Sequence, residues 1–443
     1  MRARRHRSAQ DASATLNCVR TTPTVGEIRI NDRTKTITFS LPWILDCGAW
    51  RTWSLFPSSY LYFRQRIWTQ IISLSLPPIP PDARSALTAR TFFMILLPPF
   101  LSYYLAARLA ITGRAILTRI AFLPIAIYTT YKCATSLDLA PGTENVKNRY
   151  FNDVLVLSMT LCSSRIITWT FTPIPPRRLD PSLPLSPLQL CLSLRGYGWN
   201  WGLPQSRAPR EWRPTDSTMH FVIATVLSVL FHIIFFDTVH IITGCIAPGT
   251  WQSPWGAPIL PPSGYPNLKT TCISFLSFFL IYSSVQIIYD VSTLVGVALF
   301  QQPLSEWPPL YDNILLSTSL AQFWGHRYHQ IFRQTFSGPL LLLPLPEFVQ
   351  LFGAFLISGV FHCFGVWGYG NGAHWWPMGG FFAVNALGIG LERAWSYVFG
   401  RKVGGVAGMM WTVLWLAGWG NWLFDEYSRR GMIYQKILLH FYS

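Results

Sequence analysis

Long apolar segments separated by short polar connections dominate the chain from residue 91 onward. Several stretches contain no charged residue, among them 91–107, 270–289, 348–391 and 403–424. A helix needs about 20 apolar residues to cross the hydrocarbon core of a bilayer, so 348–391 is long enough for two crossings. The pattern predicts an all-α, polytopic integral membrane protein.

The predicted membrane-spanning helices number about eight, within a range of roughly seven to ten. They are expected at roughly 91–110, 115–135, 151–172, 217–246, 270–299, 339–365, 376–397 and 403–425. The second and third are the weakest, because Arg119 and Arg165 interrupt them. No internal repeat is visible, which argues against transporter folds built from duplicated halves. Residues 91–443 are therefore predicted to be one transmembrane domain.

Residues 1–90 have a different character. They mix basic, Ser/Thr-rich and Pro-rich pieces with one short apolar run at 39–45. This composition predicts a poorly structured, basic cytosolic tail with one interfacial helix. The basic start runs into a polar stretch, so the first spanning helix is expected to act as an uncleaved insertion signal.

Composition supports the membrane prediction and excludes an ordinary soluble fold. Half of the residues are hydrophobic and 12% are charged, against about 25% charged residues in an average soluble domain. The net charge of +16 does not indicate a nucleic-acid partner, because the Lys and Arg residues lie in the N-terminal part and in connections between apolar segments. Membrane lipid is an expected partner, and nucleic acid is not.

Loop charges predict the orientation of the helices. The 173–216 connection is expected to be cytosolic, because it carries Arg177, Arg178, Arg195, Arg207, Arg210 and Arg213. The 247–269 connection carries only Lys269 and the 366–375 connection carries no charge, so both are expected on the lumenal side. This count leaves Arg429, Arg430 and Lys436 in the lumen. One of the last segments is therefore expected to be re-entrant or miscounted.

The cysteines predict neither a disulfide framework nor a zinc site. They are scattered without a CxxC pair, at Cys18, Cys47, Cys133, Cys162, Cys191, Cys245, Cys272 and Cys363. Most lie in or beside apolar segments, where a free cysteine behaves as a small hydrophobic residue.

His362 lies inside a predicted spanning helix, in the sequence FLISGVFHCFG. A polar ring at membrane depth is costly unless it faces a cavity or a partner. Away from water the imidazole is neutral, and a neutral imidazole beside a dry cavity can act as the general base for an alcohol. The alternative is a helix-packing histidine bonded to a neighbouring carbonyl, and position alone leaves both open.

A second cluster, SLAQFWGHRYHQIFR, occupies residues 319–333. If it is helical, His326, His329 and Arg333 share one face. Aromatic residues interleaved with Arg and His predict an amphipathic interfacial helix, whose simplest role is anchoring. A metal site using His326 and His329 is disfavoured, since no nearby carboxylate or cysteine completes a ligand set.

A third segment, LRGYGWNWGLP, occupies residues 194–204 in the predicted cytosolic connection. Trp199 and Trp201 flank Asn200, and Arg195 lies just upstream. Such a loop can bind an adenine ring and phosphates, or it can lie on lipid headgroups. No GxSxG, HExxH, P-loop or dinucleotide-binding motif is present in its required context.

Taken in order, these segments resemble the wax-synthase-like proteins of the membrane-bound O-acyltransferase superfamily. Residues 307–333 are similar to the region whose family motif, FWG-R-R-W-[NH], precedes a histidine in an apolar helix, here matched by FLISGVFHCFG. RGYGWNWG resembles a piece typical of the fungal branch, and MGGFFAVNALGIGLERAW and MMWTVLWLAGWGNWLFDE fit the closing helices. The similarity covers roughly 195–430. His326 stands where the motif usually has Arg, and Tyr328 where it usually has Trp.

The resemblance implies an O-acyltransferase-like bundle with a buried substrate tunnel, and acyl transfer from acyl-CoA to an alcohol. His362 matches the family's catalytic histidine, and His329 matches the second, motif position. The residues expected to bind substrate are Trp324, Arg327, Arg333, Arg195, Trp199, Asn200 and Trp201. The missing motif Arg removes a charge for the CoA phosphates, for which Arg327 and Arg333 are expected to compensate.

The most similar fungal members acetylate hydroxyls of terpenoids, meroterpenoids and related metabolites. The resemblance therefore implies acetyl-CoA as a co-substrate, no bound cofactor or metal, a lipophilic alcohol as acceptor, and the endoplasmic reticulum membrane as location. Three alternatives stay open: a long-chain wax-ester synthase, a transporter of a lipophilic metabolite that uses intramembrane Asp237 and Asp290, and an inactive membrane scaffold.

Overall fold

The computed structural model describes most of the chain beyond residue 75. The described residues are 29–31, 36–38, 75–80, 83–113, 116–142, 146, 148–251, 253 and 255–433. The apolar run at 39–45, where the interfacial helix is predicted, lies outside them. The predicted boundary between a tail and a transmembrane domain stays a prediction.

Helices make up most of the described chain. In order they are α1 (Ala89–Thr112), α2 (Ile116–Ser136), α3 (Tyr150–Phe171), α4 (Pro187–Leu192), α5 (Thr218–Ile246), α6 (Pro248–Trp251), α7 (Leu268–Ala298), α8 (Leu320–Gln322), α9 (Arg333–Leu341), α10 (Glu347–Gly368), α11 (Trp375–Phe399) and α12 (Gly405–Arg429). Phe92–Leu96 within α1 and Phe323–Arg327 after α8 are π-helical. Short 3-10 turns lie at Gln205–Arg207, Leu304–Glu306 and Ile314–Leu316.

Within the described residues, five helices are long and apolar enough to cross a membrane: α1, α3, α5, α7 and α10. The mainly helical membrane class is thus confirmed, while the count of about eight crossings stays a prediction. Helix α3 qualifies although it contains Arg165. That guanidinium donates to the carbonyls of Ser193 and Leu190 at 2.8 and 2.9 Å and lies over the Trp169 ring, so its hydrogen-bonding groups are satisfied inside the protein.

One predicted spanning segment, 339–365, is divided in the structure. Helix α9 ends at Leu341 and α10 begins at Glu347. The connection contains Pro344 and Pro346. A proline lacks the backbone N–H that continues a helix, and its ring clashes with the preceding turn, so the chain restarts after them.

Short strands tie the segment before α1 to the bundle. Strand β3 (Ser75–Leu76) pairs antiparallel with β6 (Ala373–His374), and β4 (Ser85–Ala86) pairs parallel with β5 (Leu137–Asp138). Strands β1 (Arg29–Asn31) and β2 (Thr36–Thr38) pair with each other. The Arg84 guanidinium adds hydrogen bonds to the carbonyls of Gly368 and Ala134.

Small residues allow the helices around the functional region to approach closely. A Cβ atom on Gly359 of α10 would lie 2.7 Å from the Cα of Gly379 on α11. A Cβ on Gly368 would lie 2.8 Å from a methyl carbon of Val156 on α3. Helix α10 is thus held between α3 and α11 at distances that side chains would prevent.

The outer surface of α5 carries large apolar side chains. Leu227, Phe231 and Ile234 are each about 60% exposed. Apolar patches of this kind are rarely exposed to water in monomeric soluble proteins, and they fit contact with lipid.

Candidate active site

A cavity of about 1440 Å³ lies inside the helical bundle. Its wall is mainly apolar and is formed by parts of α3, α4, α7, α9, α10, α11 and α12 together with the 193–196 and 202–203 loop segments. His329 and His362 both line it. The structure therefore brings together the two histidines for which the sequence predicts catalytic roles.

His362 lies on the cavity side of α10, and one hydrogen bond determines which ring nitrogen carries the proton. Its Nδ1 is 2.7 Å from the carbonyl oxygen of Ser358, one turn earlier in the same helix. A carbonyl can only accept, so Nδ1 carries the proton and Nε2 is left with a lone pair. The imidazole stacks on Phe382 of α11 at 4.5 Å between ring centroids. This contact and the hydrogen bond hold the ring in one orientation.

His329 lies in the turn between the π-helical Phe323–Arg327 segment and α9. Its Nδ1 is buried and has no hydrogen-bond partner among the described residues. Burial, with smaller contributions from nearby His362 and Arg195, lowers the pKa of His329 to about 3. The ring is therefore neutral at physiological pH, with one N–H donor and one acceptor nitrogen.

A row of aromatic rings connects the two histidines. His329 makes an edge contact with Phe332, which packs on Phe361, and Phe361 contacts His362, with centroid separations of 5.4, 5.1 and 5.5 Å. These apolar rings exclude water from the space beside both imidazoles. A hydrogen bond or developing charge in such surroundings is stronger than it would be in water.

Trp324 also lines the cavity, and a buried side chain on α11 fixes its position. Its Nε1 donates to Asn385 Oδ1 at 3.0 Å, and Asn385 is fully buried. The indole packs against Phe355 and Phe382. Asn385 is a supporting residue that sequence reasoning missed, because an asparagine within an apolar segment gives no sign of its partner.

Glu392 of α11 fixes the start of the motif helix α8. One carboxylate oxygen accepts from the backbone N–H of Leu320 at 2.6 Å and from Trp411 Nε1 at 3.0 Å, and the other accepts from Ala321 N–H at 2.9 Å. The N–H groups at a helix start have no partner within the helix, so this carboxylate satisfies them. Glu392 was likewise missed, since the backbone groups that it caps lie some 70 residues away.

Of the arginines predicted to bind substrate, Arg195 and Arg333 line the cavity. Arg195 is buried and donates to the Pro309 carbonyl at 3.0 Å, to the Pro308 carbonyl and to the Tyr289 hydroxyl. Among the described residues, the Arg333 guanidinium bonds to Gly325 O and Gln330 Oε1, at 3.3 and 3.2 Å. Burial and nearby Arg207 lower the pKa of Arg333.

The other residues predicted to bind substrate are absent from the cavity wall. Arg327 donates to the carbonyls of Asp312 and Asn313. Trp199 is buried beneath the Arg178 guanidinium, and Trp201 lies against that of Arg165. Asn200 exchanges side-chain hydrogen bonds with the 175–177 backbone. The contacts of these residues hold the loop against the bundle.

Asp290, one of the carboxylates considered for a transporter, is also absent from the cavity wall. It accepts hydrogen bonds from Ser228 Oγ at 2.6 Å and from Gln286 Nε2 at 2.8 Å. A different intramembrane carboxylate, Asp153, does line the cavity and was missed. The signal available in the sequence was an Asp inside an apolar 22-residue segment.

The motif region matches a known family of membrane enzymes. Residues 307–384, which include both histidines, Trp324 and Phe382, match the model of the membrane bound O-acyl transferase family. The resemblance stated from the sequence is thereby confirmed. Individual relatives point to one branch of this group, the fungal acetyltransferases.

Acetyltransferase ple2 of Rhodocybe pseudopiperita is 28% identical over 264 residues, covering 55% of this chain and 66% of that protein. Acetyltransferase aurG of Calcarisporium arbuscula is 27% identical over 36% of this chain and 42% of its own length. Acetyltransferase eriL of Hericium erinaceus is 30% identical over 32% of this chain and 42% of its own length. The matched region thus spans less than two thirds of each relative.

Proposed function

We propose that this protein is an acetyl-CoA:alcohol O-acetyltransferase of the endoplasmic reticulum membrane, acting on a hydroxyl of a lipophilic terpenoid or meroterpenoid. One observation carries the proposal. His362, whose Nε2 carries no proton, lines an apolar cavity together with the neutral His329. Both histidines lie in the segment that is similar to membrane-bound O-acyltransferases. A general base for an alcohol needs this arrangement, since water would compete with the acceptor for the acyl group.

The reaction is a direct transfer between the two substrates. His362 Nε2 takes the proton of the acceptor hydroxyl while the oxygen attacks the thioester carbonyl carbon. A carbon–oxygen bond forms, the tetrahedral intermediate breaks its carbon–sulfur bond, and the departing CoA sulfur takes the proton back from His362. The products are an acetate ester and CoA, and no covalent acyl-enzyme is required.

His329 has a complementary role in this proposal. Its single N–H donates to the oxygen that becomes negative in the tetrahedral intermediate, as in an oxyanion hole. Trp324, held by Asn385, aligns the acyl group between the two rings. Alignment of two substrates in a dry tunnel can contribute about 7–11 kcal/mol in well-oriented systems.

The donor is proposed to bind with its nucleotide end at the arginine-rich end of the cavity. Arg333 and neighbouring Arg207 supply charge for the CoA phosphates, because neither has a carboxylate partner among the described residues. Arg195 and Arg327 act there by fixing the 308–313 segment. The loop with Trp199, Asn200 and Trp201 continues into Gly202 and Leu203, which line the cavity, and it is proposed to contact the adenine ring.

A long-chain wax-ester synthase is the second candidate, and the cavity volume favours it. Ordinary small-molecule pockets measure about 300–1,000 Å³, whereas this cavity measures about 1440 Å³. The names of the relatives favour acetyl transfer.

Release of CoA from membranes containing the protein separates these possibilities. Acetyl-CoA and palmitoyl-CoA are supplied separately with pooled hydroxylated terpenoids and fatty alcohols. Release with acetyl-CoA supports the proposal, and release only with palmitoyl-CoA supports the wax-type enzyme. Uptake of the acceptor itself into vesicles, without formation of any ester, would instead support a transporter. The release is expected to be lost in membranes with His362→Ala and kept in membranes with His220→Ala, a matched change at an exposed histidine.

A further inference from the structure

Apart from the histidines and arginines, the cavity contains a polar site that the proposed reaction does not use. Asp153, in the first turn of α3, lines the cavity. No hydrogen bond or ion pair reaches its carboxylate within the described part of the chain. A carboxylate without a partner in a mainly apolar wall is costly, and an ionisable residue in such a place is by default a candidate binding residue.

The carboxylate lies about one helical turn from the proposed base. A Cβ on Gly365 of α10 would clash with Asp153 Oδ1, so the carboxylate touches the backbone of that helix. Gly365 and His362 are three residues apart and share one face. Three residues of helix rise about 4.5 Å. A glycine at this position is what lets the carboxylate reach the wall beside His362.

A phenol faces the same part of the cavity. Tyr427 of α12 lines the wall and lies within electrostatic range of Asp153. Its hydroxyl makes no hydrogen bond among the described residues. The nearby Tyr369 hydroxyl differs, since it donates to the Gly431 carbonyl at 3.0 Å. Asp153 and Tyr427 together provide one hydrogen-bond acceptor and one donor, which is what a hydroxyl group requires.

Helix electrostatics explains part of the Asp153 position but not its direction. A carboxylate in the first turn interacts favourably with the α3 dipole. That interaction is equally available to a side chain facing outward or capping the helix, and Asp153 makes no capping bond. Its orientation toward the cavity is left to be explained by a ligand.

We infer that Asp153 and Tyr427 form an acceptor subsite for a second hydroxyl, located about 5–8 Å from the hydroxyl that is acetylated. This rests on the proposed function for the first hydroxyl. The second hydroxyl donates to the Asp153 carboxylate and accepts from the Tyr427 phenol. The protein therefore selects lipophilic diols or polyols over mono-alcohols. A bound mono-alcohol leaves the Asp153 carboxylate and the Tyr427 hydroxyl without hydrogen-bond partners.

The test compares two probes that differ by one hydroxyl, dodecan-1-ol and dodecane-1,5-diol. With acetyl-CoA, the wild-type protein is expected to prefer the diol by about tenfold or more in kcat/KM. Asp153→Leu is expected to bring the ratio close to one, and the shape-conserving Asp153→Asn to lower it severalfold. Asp216→Asn, a change at an exposed carboxylate outside the cavity wall, keeps the wild-type ratio. A diol preference that survives in Asp153→Leu, or is absent in wild type, overturns the subsite.

A binding measurement separates failure of the subsite from failure of the proposed reaction. In purified detergent-solubilised protein without acetyl-CoA, the diol is expected to raise the melting temperature of wild type more than the mono-alcohol does. Asp153→Leu loses that difference while its own melting temperature stays equal or rises, since an unpartnered carboxylate has been removed. A lower melting temperature with no loss of discrimination identifies a purely structural Asp153. Discrimination without ester formation leaves the subsite intact and rejects the acetyltransferase.

Discussion

The two ring nitrogens of His362 have different partners, and this asymmetry supports the proposed chemistry. Nδ1 is bound to the Ser358 carbonyl, so only Nε2 can receive a proton from the acceptor. The predicted bond to a neighbouring carbonyl is present, and the role of His362 as a general base stays a proposal.

His329 is expected to make the stability of the protein depend on pH. Its pKa is about 3 in the folded protein and about 6.5 when unfolded. The unfolded state therefore binds more protons, and stability is full above about pH 6.5 and falls as the pH decreases below it. Between pH 7.5 and 5.5 the contribution lost is about 1 kcal/mol.

Melting temperatures of wild type and His329→Asn in detergent measure this effect. The wild type is expected to lose more stability on acidification than the variant, because asparagine does not titrate. Equal losses in both proteins would contradict the buried, neutral state of His329.

Sequence reasoning named His329, His362 and Trp324 as candidates because their types and order are distinctive, and all three line the cavity. Their roles stay predictions. Asn385 and Asp153 were not named, because their roles depend on which helices pack together, and a single sequence does not give helix neighbours.

At the scale of single elements, the Glu392 carboxylate is expected to stabilise helix α8 by capping its first N–H groups. Glu392→Ala leaves the N–H groups of Leu320 and Ala321 without partners, which costs about 1–3 kcal/mol. Activity is expected to fall with it, because α8 continues into the π-helical segment that carries Trp324 and leads to His329. Glu392→Gln keeps one acceptor oxygen and is expected to recover part of both properties.

Melting temperature and kcat of these two variants test the role of the cap. A matched change at an exposed carboxylate outside the cavity wall, Asp216→Ala, controls for charge. If Glu392→Ala lowered neither quantity, the cap would not position the motif.

The helix boundaries show where the hydrophobic pattern is sufficient. It predicted α1, α3, α5 and α7 to within a few residues. It failed at 339–365, where five residues with two prolines separate α9 from α10 within an apolar run. Hydropathy alone does not register a change of chain direction, whereas the proline spacing does.

At the scale of the whole molecule, stability is expected to depend on glycines that let neighbouring helices approach closely. Gly359→Ala introduces a methyl group 2.7 Å from the Gly379 backbone and is expected to cost about 1–3 kcal/mol. Gly390→Ala in α11 has no atom within 4 Å of the added carbon and is expected to be neutral or stabilising. Melting temperatures in detergent compare the two. A stable Gly359→Ala protein would contradict the close packing of α10 on α11.

The cavity is the feature that the sequence alone predicts least well. Its wall joins residues from 150 to 433, and its volume depends on how all the surrounding helices pack. The resemblance implied a tunnel, but the meeting of Asp153, Tyr427 and His362 in one space follows only from the three-dimensional arrangement.

Formation of an acetate ester by wild type and His362→Ala tests the central claim most directly. Both proteins are purified, and equal melting temperatures show that the variant is folded. Each is then supplied with acetyl-CoA and a hydroxylated terpenoid that the wild type uses. Product is quantified by mass spectrometry. Loss of the general base is expected to lower kcat by about 10²–10⁴-fold with a smaller change in KM. Full turnover by a well-folded His362→Ala protein would contradict the account.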